Sequence, residues 1–177
     1  NIVIMELVHQ IKQDGIAKGL CRLWQMKLKP DLGVDSLAGL YIRGIDFCIK
    51  NDYPTLDFIR RNFKGKCEAY GVYVDDEVVE RNRKDVVLNG YCKAMLEYDG
   101  FTVSNIYIRH NSKASVTVGD HAIVTIDVFD DSYLAIAVAG SDAEVLVNVY
   151  GNATVETVGG RVKIIRTNKK TYGYDRQ

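Results

Sequence analysis

The stretch Lys113-Ala114-Ser115-Val116-Thr117-Val118-Gly119-Asp120-His121-Ala122-Ile123-Val124-Thr125-Ile126-Asp127-Val128-Phe129-Asp130-Asp131-Ser132-Tyr133-Leu134-Ala135-Ile136-Ala137-Val138 decides the fold. Apolar and polar side chains alternate within each segment, as in Val116 and Val118, Val124, Ile126 and Val128, or Leu134, Ile136 and Val138. A period of two marks a strand with one face buried. Read outward in steps of ten, one column runs Val86, Leu96, Ile106, Val116, Ile126, Ile136. A second runs Leu88, Tyr98, Ile108, Val118, Val128, Val138. One extra residue enters near Gly140-Ser141-Asp142, after which the columns continue at Val147 and Val149. A partial third column is Val124, Leu134, Val145, Val155.

Turn chemistry keeps the same phase: Asn89-Gly90, Asp99-Gly100, His110-Asn111, Gly119-Asp120, Asp130-Asp131, Gly140-Ser141, Gly151-Asn152. Glycine, asparagine and aspartate accept the positive φ of tight turns. Two independent signals with one period define a repeat. Ten residues are too few to wind around a filled core, but two such segments make one coil with a strand on each of two faces. Roughly four coils then fit between 86 and 165, each covering its neighbour. The alternative is an antiparallel β meander or sandwich, since Asn-Gly and Asp-Gly are also hairpin signals. Strict columns favour the solenoid, because stacked coils penalise insertions more than hairpins do.

The first seventy residues read as helical. Glu6 to Leu28 carries Leu7, Val8, Ile11, Ile16, Leu20, Leu23 and Trp24 at three- and four-residue spacings, with a division expected at Asp14-Gly15. A second helix is expected from an N-cap at Asp35 or Ser36 to Lys50, and a short third from Asp52-Tyr53-Pro54-Thr55 through Phe63. The expected organisation is α+β: a helical cap segment over 1–70, a hairpin or linker over 71–85, the β repeat array over 86–165 and a polar tail over 166–177. The helices are expected to cover one end or flank of the array, and the basic tail to protect the other end.

Lysine plus arginine and aspartate plus glutamate number 23 each, so no global charge points to nucleic acid or an anionic membrane. Residues 1–70 hold 11 basic against 8 acidic side chains and the remainder 12 against 15, a slight asymmetry of +3 and −3. Arg60-Arg61 with Lys64 and Lys66 is the densest basic spot and reads as a solvated helix face. No apolar run approaches the roughly 20 residues that span a bilayer. Asn1-Ile2-Val3-Ile4-Met5 has no basic lead or cleavage site. A cytoplasmic or virion-associated location is the expectation. Cys21, Cys48, Cys67 and Cys92 form no Cys-x-x-Cys pair and are expected to be reduced and mostly buried.

Candidate chemistry gathers at the turns. His110 and His121 lie near Asp120, Asp130 and Asp131, and an imidazole–carboxylate row can hold a divalent metal. In a two-segment coil His110 aligns with Asp130-Asp131, and Asp120-His121 with Asp142. Neither row has the glycine-aspartate nonapeptide of calcium-binding β-rolls, so no metal or other cofactor is expected. Asp127, Asp130 and Asp131 are the acids available for glycan hydrolysis, but no catalytic residue is assigned. The candidate interaction surface comprises Ala135 and Ala137, small outward positions that let another surface approach, and the aromatics Tyr107, Phe129, Tyr133 and Tyr150, a possible glycan-stacking row.

Gly39-Leu40-Tyr41-Ile42-Arg43-Gly44-Ile45-Asp46-Phe47-Cys48, with Asp99-Gly100-Phe101 and Tyr150-Gly151-Asn152-Ala153, resembles uncharacterised small proteins of gut bacteria and their prophages. The resemblance implies a phage or mobile-element accessory protein and brings no activity with it. The expectation is a non-enzymatic structural or interaction protein, with a homo-oligomer or a protein partner as its assembly. A glycan- or metal-binding module and a small carbohydrate-active enzyme are the alternatives.

Overall fold

The computed structural model describes residues 2–173. The chain divides into two compact units, one ending at Tyr70 and the other starting at Gly71.

The first unit contains α1 (Ile2–Ala17), α2 (Arg22–Lys27), α3 (Val34–Arg43), α4 (Ile45–Asn51), α5 (Leu56–Asn62) and a 3-10 turn over Glu68–Tyr70. Val8, Ile11, Leu20, Leu28, Leu37, Cys48, Tyr53 and Phe58 form its core. The break expected at Asp14-Gly15 is absent, because α1 runs on to Ala17. Gly15 serves packing instead: a Cβ there would lie 2.7 Å from the Tyr53 hydroxyl and 2.9 Å from Leu20 Cδ2. The helix expected to reach Lys50 is two helices, since Gly44 (φ −100°, ψ 22°) leaves helical geometry between α3 and α4. The N-cap of α3 is Gly33, two residues before the expected Asp35. Thr55 caps α5, its hydroxyl accepting the Phe58 N–H at 3.3 Å.

The second unit is a parallel β-solenoid. One sheet has the order β1 (Val72–Val74), β3 (Asp85–Asn89), β5 (Val103–Ile108), β7 (Ile123–Val128), β9 (Glu144–Val149), β11 (Val162–Arg166). The other has the order β2 (Glu77–Arg81), β4 (Lys93–Tyr98), β6 (Lys113–Val118), β8 (Tyr133–Val138), β10 (Thr154–Val158). Every pairing is parallel, which removes the meander and sandwich alternatives. Lys93 pairs with Lys113 and Val103 with Ile123, so one coil is twenty residues, two of the repeat units. Ile123 pairs with Glu144, which absorbs the extra residue at 140–142 in the turn.

The columns read from the sequence are the interior. Leu96, Val116 and Ile136 from one sheet, with Ile106, Ile126 and Val147 from the other, are at most 2% exposed. Fully burying a valine- or isoleucine-sized side chain stabilises by about 1.5–3 kcal/mol, so these stacked columns drive the fold.

The segment 71–85, expected as a hairpin or linker, is neither. β1 pairs with β3 and β2 with β4, so the two strands belong to opposite sheets and make a first, shortened coil. Val72 pairs with Val87, fifteen residues on, because the coil is one residue shorter at Asp75-Asp76 and four shorter from β2 into β3 than the coil after it. Gly71 is required at its start: φ is +85°, and a Cβ would lie 2.2 Å from the Asp85 carbonyl oxygen.

Candidate interaction surface

The corners of the solenoid consume the polar groups that could have done chemistry. His110, Asp120 and Asp130 have φ of 62°, 53° and 58°, the left-handed geometry that Gly90, Gly100 and Gly151 adopt in equivalent corners. Each polar side chain reaches back one coil. Asp130 Oδ2 accepts the His110 N–H and Asp120 Oδ2 accepts the Gly100 N–H, both at 2.8 Å. His110 Nδ1 accepts the Gly90 N–H at 2.9 Å, which places its ring proton on Nε2. Behind them Ser112 Oγ donates to the Gly90 carbonyl and Ser132 Oγ to the His110 carbonyl, each at 3.1 Å. The expected alignment of His110 with Asp130 is present as a structural ladder. Asp131 accepts from Asn152 Nδ2 at 3.5 Å. Among the described residues no group of three or more His, Cys, Asp or Glu is placed to hold a metal ion.

The opposite corner is tied by charge. Arg81 and Asn82 both bond the Asp99 carboxylate, and Asn82 Oδ1 accepts the Asp99 N–H at 2.9 Å. The hydrogen bond from Asn82, then that from Arg81, holds the Asp99 carboxyl below its usual range.

The four sequence-predicted aromatics do not form one row. Phe129 is buried, and its ring stacks on Tyr150 at 4.8 Å and 12°. Tyr172 of the tail meets both rings edge-on, with centroids 5.4 Å away, and donates its hydroxyl to Asp127 Oδ2. Asn148 Nδ2 donates to the other Asp127 oxygen at 2.8 Å. Asp127 is therefore part of a clamp on the tail. The tail was expected to protect the far end of the array; its described part, through Gly173, lies at this corner, where Lys169 O accepts the N–H of Gly151, the last residue of the corner column, and Tyr172 packs on the aromatics. Tyr107 is the register partner of Asp127 on the same outer face. Tyr133 lies on the other sheet and donates to Glu156 Oε2 at 2.6 Å, which raises the pKa of its phenol.

Ala135 and Ala137 face outward on β8, Ala135 half-buried and Ala137 exposed. Ala135 lies between its register partners Ser115 and Glu156. Farther along this sheet Val79 and Met95, which pair in register, are 81% and 64% exposed. At the charged corner Phe101 is 81% exposed and stacks on His121 at 4.7 Å with planes 3° apart. Beside them Val103 and Ile123 pair in register and are also exposed.

The two ends of the array differ. In the first coil Tyr73 and Val78 are buried, and Glu80, the register partner of inward Leu96, turns inward. Glu80 accepts the Tyr73 hydroxyl at 2.6 Å and an ion pair from Arg83 at 3.2 Å. The Tyr73 hydrogen bond, with help from Arg83, holds its carboxyl below the usual range. An inward charge of this kind blunts a sheet edge. The last coil also carries a charge in an inward column, since Arg166 pairs with inward Val149, but there Arg166 is exposed. Thr157 and Ile164 occupy the inward positions of Ile136 and Val147, yet Thr157 is exposed and Ile164 is 36% exposed. Val158 and Ile165 beside them are 72% and 44% exposed. β10 and β11 end their sheets, so each presents one unpaired backbone edge. The columns place the end of the array near 165, but the basic tail was expected to cover that end, which is why this surface was not singled out from the sequence.

In the helical unit an open groove of about 530 Å³ is lined by Lys27, Lys29, Arg43, Ser36 and Asp35, among others. The four cysteines are free thiols; Cys21 is exposed, the other three are buried, and burial raises the pKa of Cys92. No described helix is long and apolar enough to cross a membrane. The chain matches no family model, no curated protein and no solved structure.

Proposed function

We propose that the chain is a non-enzymatic structural protein that works by self-assembly, with the open last coil of the solenoid as its contact surface. The observation that carries this reading is the asymmetry of the two ends: buried Tyr73 and Val78 at the first coil against exposed Thr157 and Ile164 at inward positions of the last. The corner histidine and acids are engaged in holding coils together, which supports a scaffold over an enzyme. A phage or mobile-element accessory role fits such a part. Sedimentation velocity across a dilution series tests the reading. It expects a reversible species heavier than the 19.9 kDa chain, and a strict monomer at every concentration contradicts it.

A second reading, a glycan-binding module, draws on the exposed face of Phe101 over His121. Aromatic faces of this kind stack on sugar rings. Glycan-array binding that Phe101→Ala abolishes would favour it over the scaffold.

A further inference from the structure

We propose that two copies join tail to tail, with β10 of each copy pairing antiparallel to β11 of the other. This rests on the self-assembly reading and specifies its geometry. Consecutive strands in a coil run in opposite directions on the two sheets, so a two-fold axis across the open end makes either possible pairing antiparallel. One orientation places β10 on β10 and β11 on β11; the other places β10 on β11 twice. Charge separates them. β10 carries Glu156 alone, whereas β11 carries Lys163 and Arg166 and follows Arg161. Like-on-like pairing brings four to six cations together at one seam. The exchanged pairing brings opposite charges together.

A register exists that satisfies both faces. With Glu156 opposite Lys163 of the second copy, inward Val155 meets Ile164 and inward Thr157 meets Val162, so two interior columns continue across the junction, and Arg166 lies at the seam's end opposite Ala153. On the outer face Thr154 then meets Ile165. The contact is isologous and closes at two copies. Head-to-tail stacking is opposed at the first coil, whose Tyr73 and Val78 are already buried.

The test uses the full chain in a Cys21→Ser background, because Cys21 is its one exposed thiol among the described cysteines. Glu156→Lys and Lys163→Glu each place like charges opposite one another at two symmetric sites and are expected to weaken the dimer about thirtyfold. The double variant restores opposite charges and is expected to recover wild-type mass. Tyr133→Phe controls for the hydrogen bond that Glu156→Lys also removes. Thr154→Cys with Ile165→Cys is expected to form an interchain disulfide under mild oxidation, and neither single variant is. Circular dichroism confirms that each variant is folded. A dimer that ignores both charge reversals and yields no 154–165 cross-link overturns this geometry and leaves self-assembly standing. A monomeric wild type overturns self-assembly itself.

Discussion

The Nδ1 atom of His110 accepts the backbone N–H of Gly90 at 2.9 Å, and the two residues are separated by one full coil. A side chain in left-handed geometry thus holds down the corner of the coil before it, as Asp130 does for His110 itself. His110→Ala removes the acceptor and keeps the unfavourable φ of 62°, so a loss of about 1–3 kcal/mol is expected in urea unfolding. His110→Asp places at this corner the side chain that serves at 120 and 130, and most of that stability should be retained. Equal losses in the two variants would show that the ladder does not contribute.

Glycines at the corners are not equivalent. At Gly140 φ is +81° and nothing lies within 4 Å of a built Cβ, whereas at Gly160 φ is +61° and the Cβ would sit 2.3 Å from Val138 Cγ1. Gly140→Asn is expected to cost less than about 1 kcal/mol. Gly160→Ala should detach β11 from β9, seen as fast amide exchange over 162–166 while β7 stays protected.

The Asp99 cluster predicts an acid dependence. Its folded carboxyl titrates below the unfolded one, so its contribution is present above the unfolded pKa of about 4 and is lost as pH falls through the lower, folded value. Asp99→Asn should therefore lower the melting temperature at neutral pH, and the difference from wild type should shrink as pH falls below the unfolded value of about 4 and through the lower, folded one. A gap that stays constant from neutral to acid pH would contradict the assignment.

Tyr172 anchors the tail through two ring contacts and one hydrogen bond. Tyr172→Ala should expose the Lys169-Lys170 bond to trypsin at least several times faster than in wild type, with little change in global melting. Tyr172→Phe keeps the ring contacts and should fall between the two.

Much of this architecture is legible in the residues. Val116, Ile126 and Ile136 recur at the same phase as their turns, and only stacked strands satisfy both periods at once. The direction of the strands is not legible locally, because Asp99-Gly100 suits a hairpin as well as a solenoid corner; contacts one coil away, such as Asp120 to Gly100, decide it. Gly15 reads as a helix breaker but is a clearance for Tyr53, 38 residues on in a different helix–loop context. The outward placement of Ala135 and Ala137 was legible in the alternation of β8. Phe129 and Tyr150 look like exposed aromatics until Tyr172 folds onto them, and Ile164 looks like a residue that the basic tail after it will cover.

Amide hydrogen exchange at β10 and β11, measured as a function of protein concentration, tests the central claim most directly. The account predicts that amides of 154–158 and 162–166 slow as concentration rises, while those of β7, already paired on both sides, do not change. Exchange at β10 and β11 that stays fast and independent of concentration would contradict it.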